Sequence, residues 1–189
     1  MFVLEILGLK YGDFSFFVRK LFGVRWLIVV EKDGGEAMIK SIYETHVQVR
    51  NLEDSIEFYR RLGLTFVHKI EERRCAFFFV GEQKQMLGLW ETDEKELKRS
   101  HFAFGIEATD IHEALTWLRS KGIEPEETSF GKPQTEPIVH TWMPAACVYF
   151  NDPDGNSLEL ITLLNDEPVV SKDFPYLSEW NKETGTKLF

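Results

Sequence analysis

Two stretches of the chain repeat one order of hydrophobic and polar positions, and each predicts a strand followed by a helix. In HVQVR, which begins at His46, valines alternate with polar residues, as on a strand with one buried face. HFAFGI, which begins at His101, alternates in the same way. Apolar residues then recur at helical spacing over 52–59 and 111–118. The repeat therefore predicts two copies of one strand–helix unit.

Matching signals mark the ends of both predicted helices. Asn51 and Asp110 stand at N-cap positions, and Glu113 follows Asp110 at the spacing of a capping box. Gly63 and Gly122 come at the same interval after the two caps and suit the left-handed residue that ends a helix. Both copies therefore predict a helix of the same length.

Further strand signals follow each helix. They are LTFVHKI, RCAFFFV and QMLGLW in the first copy, and ACVYF and SLELITLL in the second, while VGEQKQ and NDPDGN have the chemistry of hairpin turns. The sequence thus predicts an α+β fold. Two tandem βαβββ modules, about residues 39–92 and 99–164, form an open, curved mixed sheet around a central site, with the helices outside.

Two segments flank the predicted domain of residues 38–164. Glycine and glutamate codons before Met38 can spell a ribosome-binding sequence, which favours Met38 as the natural start and residues 1–37 as a translated leader. The alternative is an N-terminal extension that packs on the domain or on a partner. The C-terminal tail, residues 165–189, carries apolar anchors for this domain or for a second subunit: Phe174, Tyr176, Leu177 and Trp180.

Charge and cysteine usage narrow the classes of partner. The net charge of −9 argues against a nucleic-acid surface, which needs a basic footprint. No uncharged apolar run reaches the roughly 18–20 residues that a membrane span needs. Cys75 and Cys147 have no CxxC spacing and are interpreted as buried free thiols in a reducing compartment. We therefore expect a cytoplasmic protein that binds neither nucleic acid nor a membrane.

Three side chains are predicted to face the concave side of the sheet. His46 and His101 lie opposite the apolar faces of their strands, and Glu159 in SLELI has the same orientation. A lone buried carboxylate is costly unless it is paired or bound to metal. Either histidine alone would more often be a structural or surface residue. Together the three side chains match a 2-His-1-carboxylate site for a divalent metal with open positions.

The repeat also predicts what stands opposite Glu159. Its counterpart in the first module falls near Gly88, so we expect three protein ligands and not four. Glu91 is the nearest carboxylate but lies at the end of its strand. His140, in the segment before WMPAACVYF, is placed to reach the cavity, and Tyr149 is among the aromatic residues that could shape it. His140, Tyr149 and Glu91 are therefore secondary candidates for a catalytic role.

The motifs THVQV, SIEFYRRLGL, HFAFGI and VYFNDPDGNSLELI resemble, as an ordered set over about residues 39–164, those of the vicinal oxygen chelate superfamily. That superfamily includes glyoxalase I, bleomycin-resistance proteins, fosfomycin-resistance thiol transferases and extradiol dioxygenases. The resemblance implies metal ligands at His46, His101 and Glu159, and a metal that chelates two neighbouring oxygens of a substrate. The missing fourth ligand weakens a glyoxalase assignment, and LELITLLNDEP lacks the basic residues that would clamp a phosphonate.

The resulting expectation is a metal-dependent enzyme that acts on a small oxygenated molecule as a lyase, a thiol transferase or a dioxygenase. One divalent ion, Fe, Mn, Ni, Co or Zn, would act as a Lewis acid. The chain is expected to form a homodimer. The alternative is a binding protein of the bleomycin-resistance type, which sequesters a small ligand without catalysis.

Overall fold

The structure is a computed structural model that describes residues 6–11, 14–21, 25–32, 38–39, 41–82, 84–171 and 173–185. The chain divides into two compact units, residues 1–41 and 42–189. In the first unit, β1 (Ile6–Tyr11), β2 (Phe14–Leu21) and β3 (Arg25–Lys32) form an antiparallel sheet in the order β1-β2-β3. The leader interpretation of residues 1–37 stays a prediction, and residues 1–5 and 33–37 lie outside the described residues.

The second unit opens with the first module. Its elements are β4 (Glu44–Val49), α1 (Leu52–Arg61), β5 (Thr65–Ile70), β6 (Cys75–Val80) and β7 (Gln85–Glu91). The sheet order is β4-β7-β6-β5, in which β4 runs parallel to β7 and the other pairs are antiparallel. This is the predicted βαβββ order.

The second module repeats the plan with an insertion. Its elements are β8 (His101–Gly105), α2 (Ala114–Ser120), the short hairpin β9 (Thr128–Ser129) and β10 (Lys132–Pro133), then β11 (Ile138–His140), β12 (Ala145–Asn151) and β13 (Ser157–Leu163). The main sheet has the order β11-β12-β13-β8. The predicted α+β class is confirmed. Among the described strands, the two four-stranded sheets stay open and share no ladder.

The two helix starts differ in chemistry. The Asn51 side chain accepts hydrogen bonds from the backbone N–H groups of Glu53 and Asp54, so the first predicted cap is confirmed. The capping box at Asp110 and Glu113 is wrong. A 3-10 turn, Ile111–Glu113, precedes α2, and the Asp110 side chain makes no cap hydrogen bond. The tighter turn buries Ile111 in the core, which outweighs a surface cap.

One hydrophobic core joins the modules, and the NDPDGN turn adds polar contacts across them. Asp152 accepts a hydrogen bond from Tyr59 Oη at 3.0 Å, and Asp154 accepts one from Arg50 Nε at 2.6 Å. Asn156 Nδ2 donates to the carbonyl of Gln48 at 3.1 Å. Because Asp152, Asp154 and Asn156 are buried, the turn fixes the second module on α1 and β4 of the first.

The C-terminal tail packs on the same chain. Helix α3 (Leu177–Thr184) buries Leu177 and Trp180 in the core, and the backbone N–H of Val139 donates to the carbonyl of Pro175. The tail therefore follows β11 as a further edge segment. None of the helices among the described residues has the length and apolar character required to cross a membrane.

Candidate metal centre

Two of the three predicted ligands lie side by side on neighbouring strands. Strands β8 and β13 are parallel, with His101 opposite Ser157 and Ala103 opposite Glu159. Since side chains two residues apart on one strand share a face, this register turns both His101 and Glu159 into one cavity. The distance from His101 Nε2 to Glu159 Oε2 is 3.3 Å.

The hydrogen bonds of His101 leave one ring nitrogen available. Its Nδ1 lies 3.1 Å from the carbonyl oxygen of Ser157, which can only accept, so Nδ1 carries the proton. With Nδ1 engaged, Nε2 is the ring nitrogen that faces the Glu159 carboxylate, at 3.3 Å. The contact of Nδ1 with the Ser157 carbonyl is a second-sphere contact of the kind that orients metal-binding histidines.

Glu159 has an unsatisfied oxygen. The residue is 5% exposed, and its buried Oε1 has no hydrogen-bond partner of normal geometry, although the side chains of Cys147 and Tyr149 interact with the carboxylate. Burying a carboxylate oxygen without a hydrogen-bond partner costs on the order of several kcal/mol. Two ligand atoms that each stand about 2.1 Å from an ion at right angles lie about 3 Å apart, close to the spacing seen here. The pair therefore fits a divalent cation.

His46 lies elsewhere in the chain. It lines a separate depression of about 410 Å³ with Gln48, Trp90 and Lys98, and its Nε2 contacts the Glu44 carboxylate. Gly88, directly opposite on β7, makes room for the imidazole, because a Cβ there would stand 2.6 Å from His46 Cδ2. His46 therefore lines a different cavity from His101 and Glu159, and the three-ligand site stays a prediction.

The register also corrects the position assigned to Gly88. His46 pairs with Gly88 as His101 pairs with Ser157, so the counterpart of Glu159 is Trp90, two residues beyond Gly88. The parity of the strand was predicted properly and the position was wrong by two residues. The conclusion that the first module supplies no carboxylate at that place is unchanged, because Trp90 cannot ligate.

The Glu91 side chain forms contacts within the first module and lies outside both cavities. Its carboxylate accepts from the Leu52 N–H at the start of α1 at 2.9 Å and from Arg74 Nε at 2.9 Å. Both contacts hold it at the junction of β7 and α1, and it lines neither the His101 cavity nor the His46 depression.

Glu159 also belongs to a second cluster of possible ligand side chains. The ligand atoms of His140, Cys147 and Glu159 are all within 4.8 Å of one another, and among the described residues no other trio of such side chains is as close. His140 Nε2 lies 2.7 Å from Tyr149 Oη. The structure thus places His140 and Tyr149 in the cavity with His101, whereas the sequence offered no signal for Cys147 beyond its burial.

Burial sets the protonation of this cluster. Burial raises the pKa of the Cys147 thiol, and the neighbouring charge of Glu159 raises it further. The pKa of Tyr149 is raised by the same two causes, together with its proximity to Cys147. Burial lowers the pKa of His140, although Glu159 opposes that shift. A bound ion would itself deprotonate a ligating thiol, so Cys147 stays a candidate ligand beside His101 and Glu159.

The cavity that contains this cluster is about 520 Å³ in volume. The described side chains that line it include no lysine or arginine. They are His101, Glu126, Thr128, Ser129, Phe130, His140, Trp142, Met143, Tyr149, Ser157, Glu159 and Ile161. Sequence reasoning missed Phe130, since it stands in a segment without a clear strand period.

Paired βαβββ modules with a His and a Glu in a common cavity define the class of protein. Residues 41–160 match the model of the Glyoxalase/Bleomycin resistance protein/Dioxygenase superfamily. The chain belongs to this superfamily.

Individual relatives agree with this membership. The metallothiol transferase FosB of Staphylococcus saprophyticus is 29% identical over 134 residues, which cover 66% of this chain and 78% of the relative. An integron cassette protein from the mobile metagenome of the Halifax Harbour sewage outfall has a TM-score of 0.58 and 33% identity, over 66% of this chain and all of that one. Lactoylglutathione lyase from Agrobacterium tumefaciens has a TM-score of 0.51 and 26% identity, over 66% and 95%.

Proposed function

We propose that the protein is a metal-dependent enzyme that holds one divalent ion with His101, Glu159 and His46, the last supplied by a second copy of the chain. The observation that carries the proposal is the pair formed by His101 Nε2 and Glu159 Oε2, 3.3 Å apart, beside the buried Oε1 of Glu159, which has no hydrogen-bond partner. His46 faces a depression on the other module, so a second copy that sets its first module against the His101 cavity would complete the ligand set.

The reaction we propose is the transfer of a thiol to a small oxygenated molecule. The metallothiol transferase relatives support this choice among the reaction types of the superfamily. When bound, the ion would act as a Lewis acid on the oxygens of the substrate. Tyr149, which is buried and protonated, is placed to donate a hydrogen bond in the same cavity, and His140 holds the Tyr149 hydroxyl.

Metal binding is the first test of the proposal. Protein purified without oxygen is titrated with Mn²⁺ and Zn²⁺, and bound metal is measured per chain. We expect His101→Ala, Glu159→Gln and His46→Ala each to lower metal affinity by roughly 100-fold or more, as the loss of one ligand of three should. Glu126→Gln is the matched control, because this carboxylate lines the same cavity but bonds to Asn151.

The outcome separates the two functional classes. Unchanged metal affinity in the three ligand variants would disprove the site. A native protein that binds small ligands but no divalent ion would instead be a sequestering protein of the bleomycin-resistance type. Thiol transfer itself is measured by incubating the metal-loaded protein with a thiol and a panel of epoxides, with Glu159→Gln as the inactive reference.

A further inference from the structure

Phe130 occupies a backbone conformation that aromatic residues rarely adopt. It is the first of the two residues, Phe130 and Gly131, that join β9 to β10, with φ of 50° and 77°. Two positive φ values in a two-residue hairpin loop are typical of a type I′ turn, in which Asn, Asp or Gly is strongly preferred at the first position. A bulky side chain there is strained, and retained strain of this kind concentrates at functional sites.

The Phe130 ring is exposed in the cavity. It lines the same cavity as His101 and Glu159 and remains 52% exposed. Its ring stacks on that of Phe174 with centroids 3.9 Å apart, and the rings of His140 and Tyr149 meet it edge-on at 5.3 and 5.8 Å. The strained turn therefore presents an aromatic surface to the cavity and does not bury it in the core.

The C-terminal tail fixes the second ring of this surface. Tyr176 Oη donates to the carbonyl of Pro133 in β10, and the backbone of Pro175 accepts from Val139 in β11. These bonds hold Phe174 between the hairpin and the edge of the sheet. We call Phe130 and Phe174 together the aromatic platform.

The charges around the cavity restrict which chemical groups can bind beside the aromatic platform. The described cavity lining contains the carboxylates Glu126 and Glu159, the imidazoles of His101 and His140, and no lysine or arginine. Lys132, next to the turn, is paired with Glu179 and lies over the ring of Tyr176. A phosphonate or phosphate group would thus meet no cationic side chain from this half of the site, while a neutral planar group would meet an aromatic face.

We propose that the aromatic platform determines substrate specificity, and that the substrate class carries a neutral aromatic group beside its vicinal oxygens. This inference rests on the proposed metal-dependent function, because it places the oxygens at His101 and Glu159 and the aromatic group at Phe130.

Two ketones with the same oxygens test the platform. Hydroxyacetone and 2-hydroxyacetophenone each offer a carbonyl next to a hydroxyl and differ by methyl against phenyl. Their dissociation constants are measured by calorimetry on the full chain, with and without Mn²⁺, and methylphosphonate serves as the anionic probe. The phenyl ketone is expected to bind about tenfold tighter than hydroxyacetone, the gain that one good aromatic contact supplies. Without Mn²⁺, methylphosphonate is expected to bind more weakly than either ketone, since the comparison is then free of direct binding of the anion to the ion.

Variants of the platform make the test specific. Phe130→Asn installs the residue that the turn prefers, so it removes the ring without damaging the backbone, and Phe174→Leu keeps an apolar side chain. Both are expected to reduce the phenyl advantage to about twofold or less, and Phe130→Trp is expected to retain it. Lys84→Asn is the matched control, since Lys84 also has a positive φ of 55° but lies at a turn of the first module.

The outcomes separate this inference from the proposed function. Equal binding of the two ketones to native protein, or an unchanged phenyl advantage in Phe130→Asn, would overturn the platform even if metal binds stoichiometrically. In protein without Mn²⁺, tighter binding of methylphosphonate than of hydroxyacetone would overturn the neutral character assigned to the group at the platform. A phenyl advantage in a chain that binds no metal would support the platform and contradict the metal-dependent function.

Discussion

At the scale of single residues, the Glu91 carboxylate stabilises the N-terminal end of helix α1. It accepts the free N–H of Leu52 in the first turn of α1 and bonds Arg74, and both interactions favour its charged form. The hydrogen bond from Arg74, followed by that from Leu52, lowers the pKa of Glu91 below its ordinary value of 4.5. Glu91 therefore contributes to the stability of the first module and not to the chemistry of the cavity.

Glu91→Gln is expected to destabilise the protein in a pH-dependent way. A folded-state pKa that is lowered stabilises the fold above the unfolded pKa, and that stability is lost as the pH falls through the folded pKa. The variant should lose about 1 kcal/mol at pH 7, and the gap from the native protein should narrow below pH 4.5. Denaturant unfolding across pH measures it. Glu57→Gln, on the exposed face of α1, is the control, and a gap independent of pH would contradict the assignment.

The lack of a side chain at Gly88 leaves room for the His46 imidazole, and a substitution at Gly88 tests whether that position matters for metal binding. Any side chain at Gly88 would collide with the imidazole at 2.6 Å, so Gly88→Ala should displace His46. We expect metal affinity to fall by roughly tenfold while the fold remains, because one of three ligands is misplaced. Gly105→Ala in β8 is the matched control, since nothing lies within 4 Å of a Cβ there. Equal metal affinity in the two variants would count against His46 as a ligand.

At the scale of elements, the NDPDGN turn does more than reverse the chain. Its pattern predicts a hairpin between β12 and β13, and the structure has that hairpin. The same residues also bind α1 and β4 of the other module through Asp152, Asp154 and Asn156. A local pattern encodes the turn, whereas the partners lie about a hundred positions away in sequence and depend on how the modules pack.

Arg50 allows the strength of this inter-module contact to be measured. Its guanidinium pairs with the buried Asp154 at 2.6 Å and with the exposed Glu94 at 3.6 Å. Asp154→Asn should cost more than Glu94→Gln, because Asp154 is buried and also accepts from Ser55 Oγ, whereas Glu94 is 81% exposed. Glu94→Gln should cost under about 0.5 kcal/mol. Urea unfolding of both variants gives the comparison, and equal losses would mean that burial does not decide the contribution.

At the scale of the whole molecule, the sequence predicts the modules better than the site. Apolar and polar residues alternate in HVQVR and HFAFGI, and apolar residues recur at helical spacing after each. These patterns depend only on neighbouring residues, so the repeat could be predicted from the sequence. His101 and Glu159 meet because β8 and β13 are adjacent strands, which the repeat also implies. Phe130 was missed because its turn does not use the preferred residues, and the separation of His46 from His101 depends on packing between modules, which no local pattern records.

That separation leads to a prediction about the assembled molecule. If His46 of one copy completes the site formed by His101 and Glu159 of another, then a symmetric dimer has two shared sites. In a mixed dimer of His46→Ala and His101→Ala chains, one site loses both residues and the other keeps all its ligands. Each variant alone has no complete site.

Mixing the two variants after unfolding and refolding should therefore restore metal binding. Random pairing gives half mixed dimers, so about one quarter of the native metal per chain is expected, against almost none for either variant alone. Mass spectrometry of the intact assembly identifies the mixed dimer that carries the ion. The control mixes His101→Ala with Glu159→Gln, whose lesions lie in the same half-site, so no dimer regains a complete site. No restoration in the first mixture when mixed dimers are present would place all three ligands of a site within one chain. Restoration in the control would mean that His101 and Glu159 of one site come from different chains.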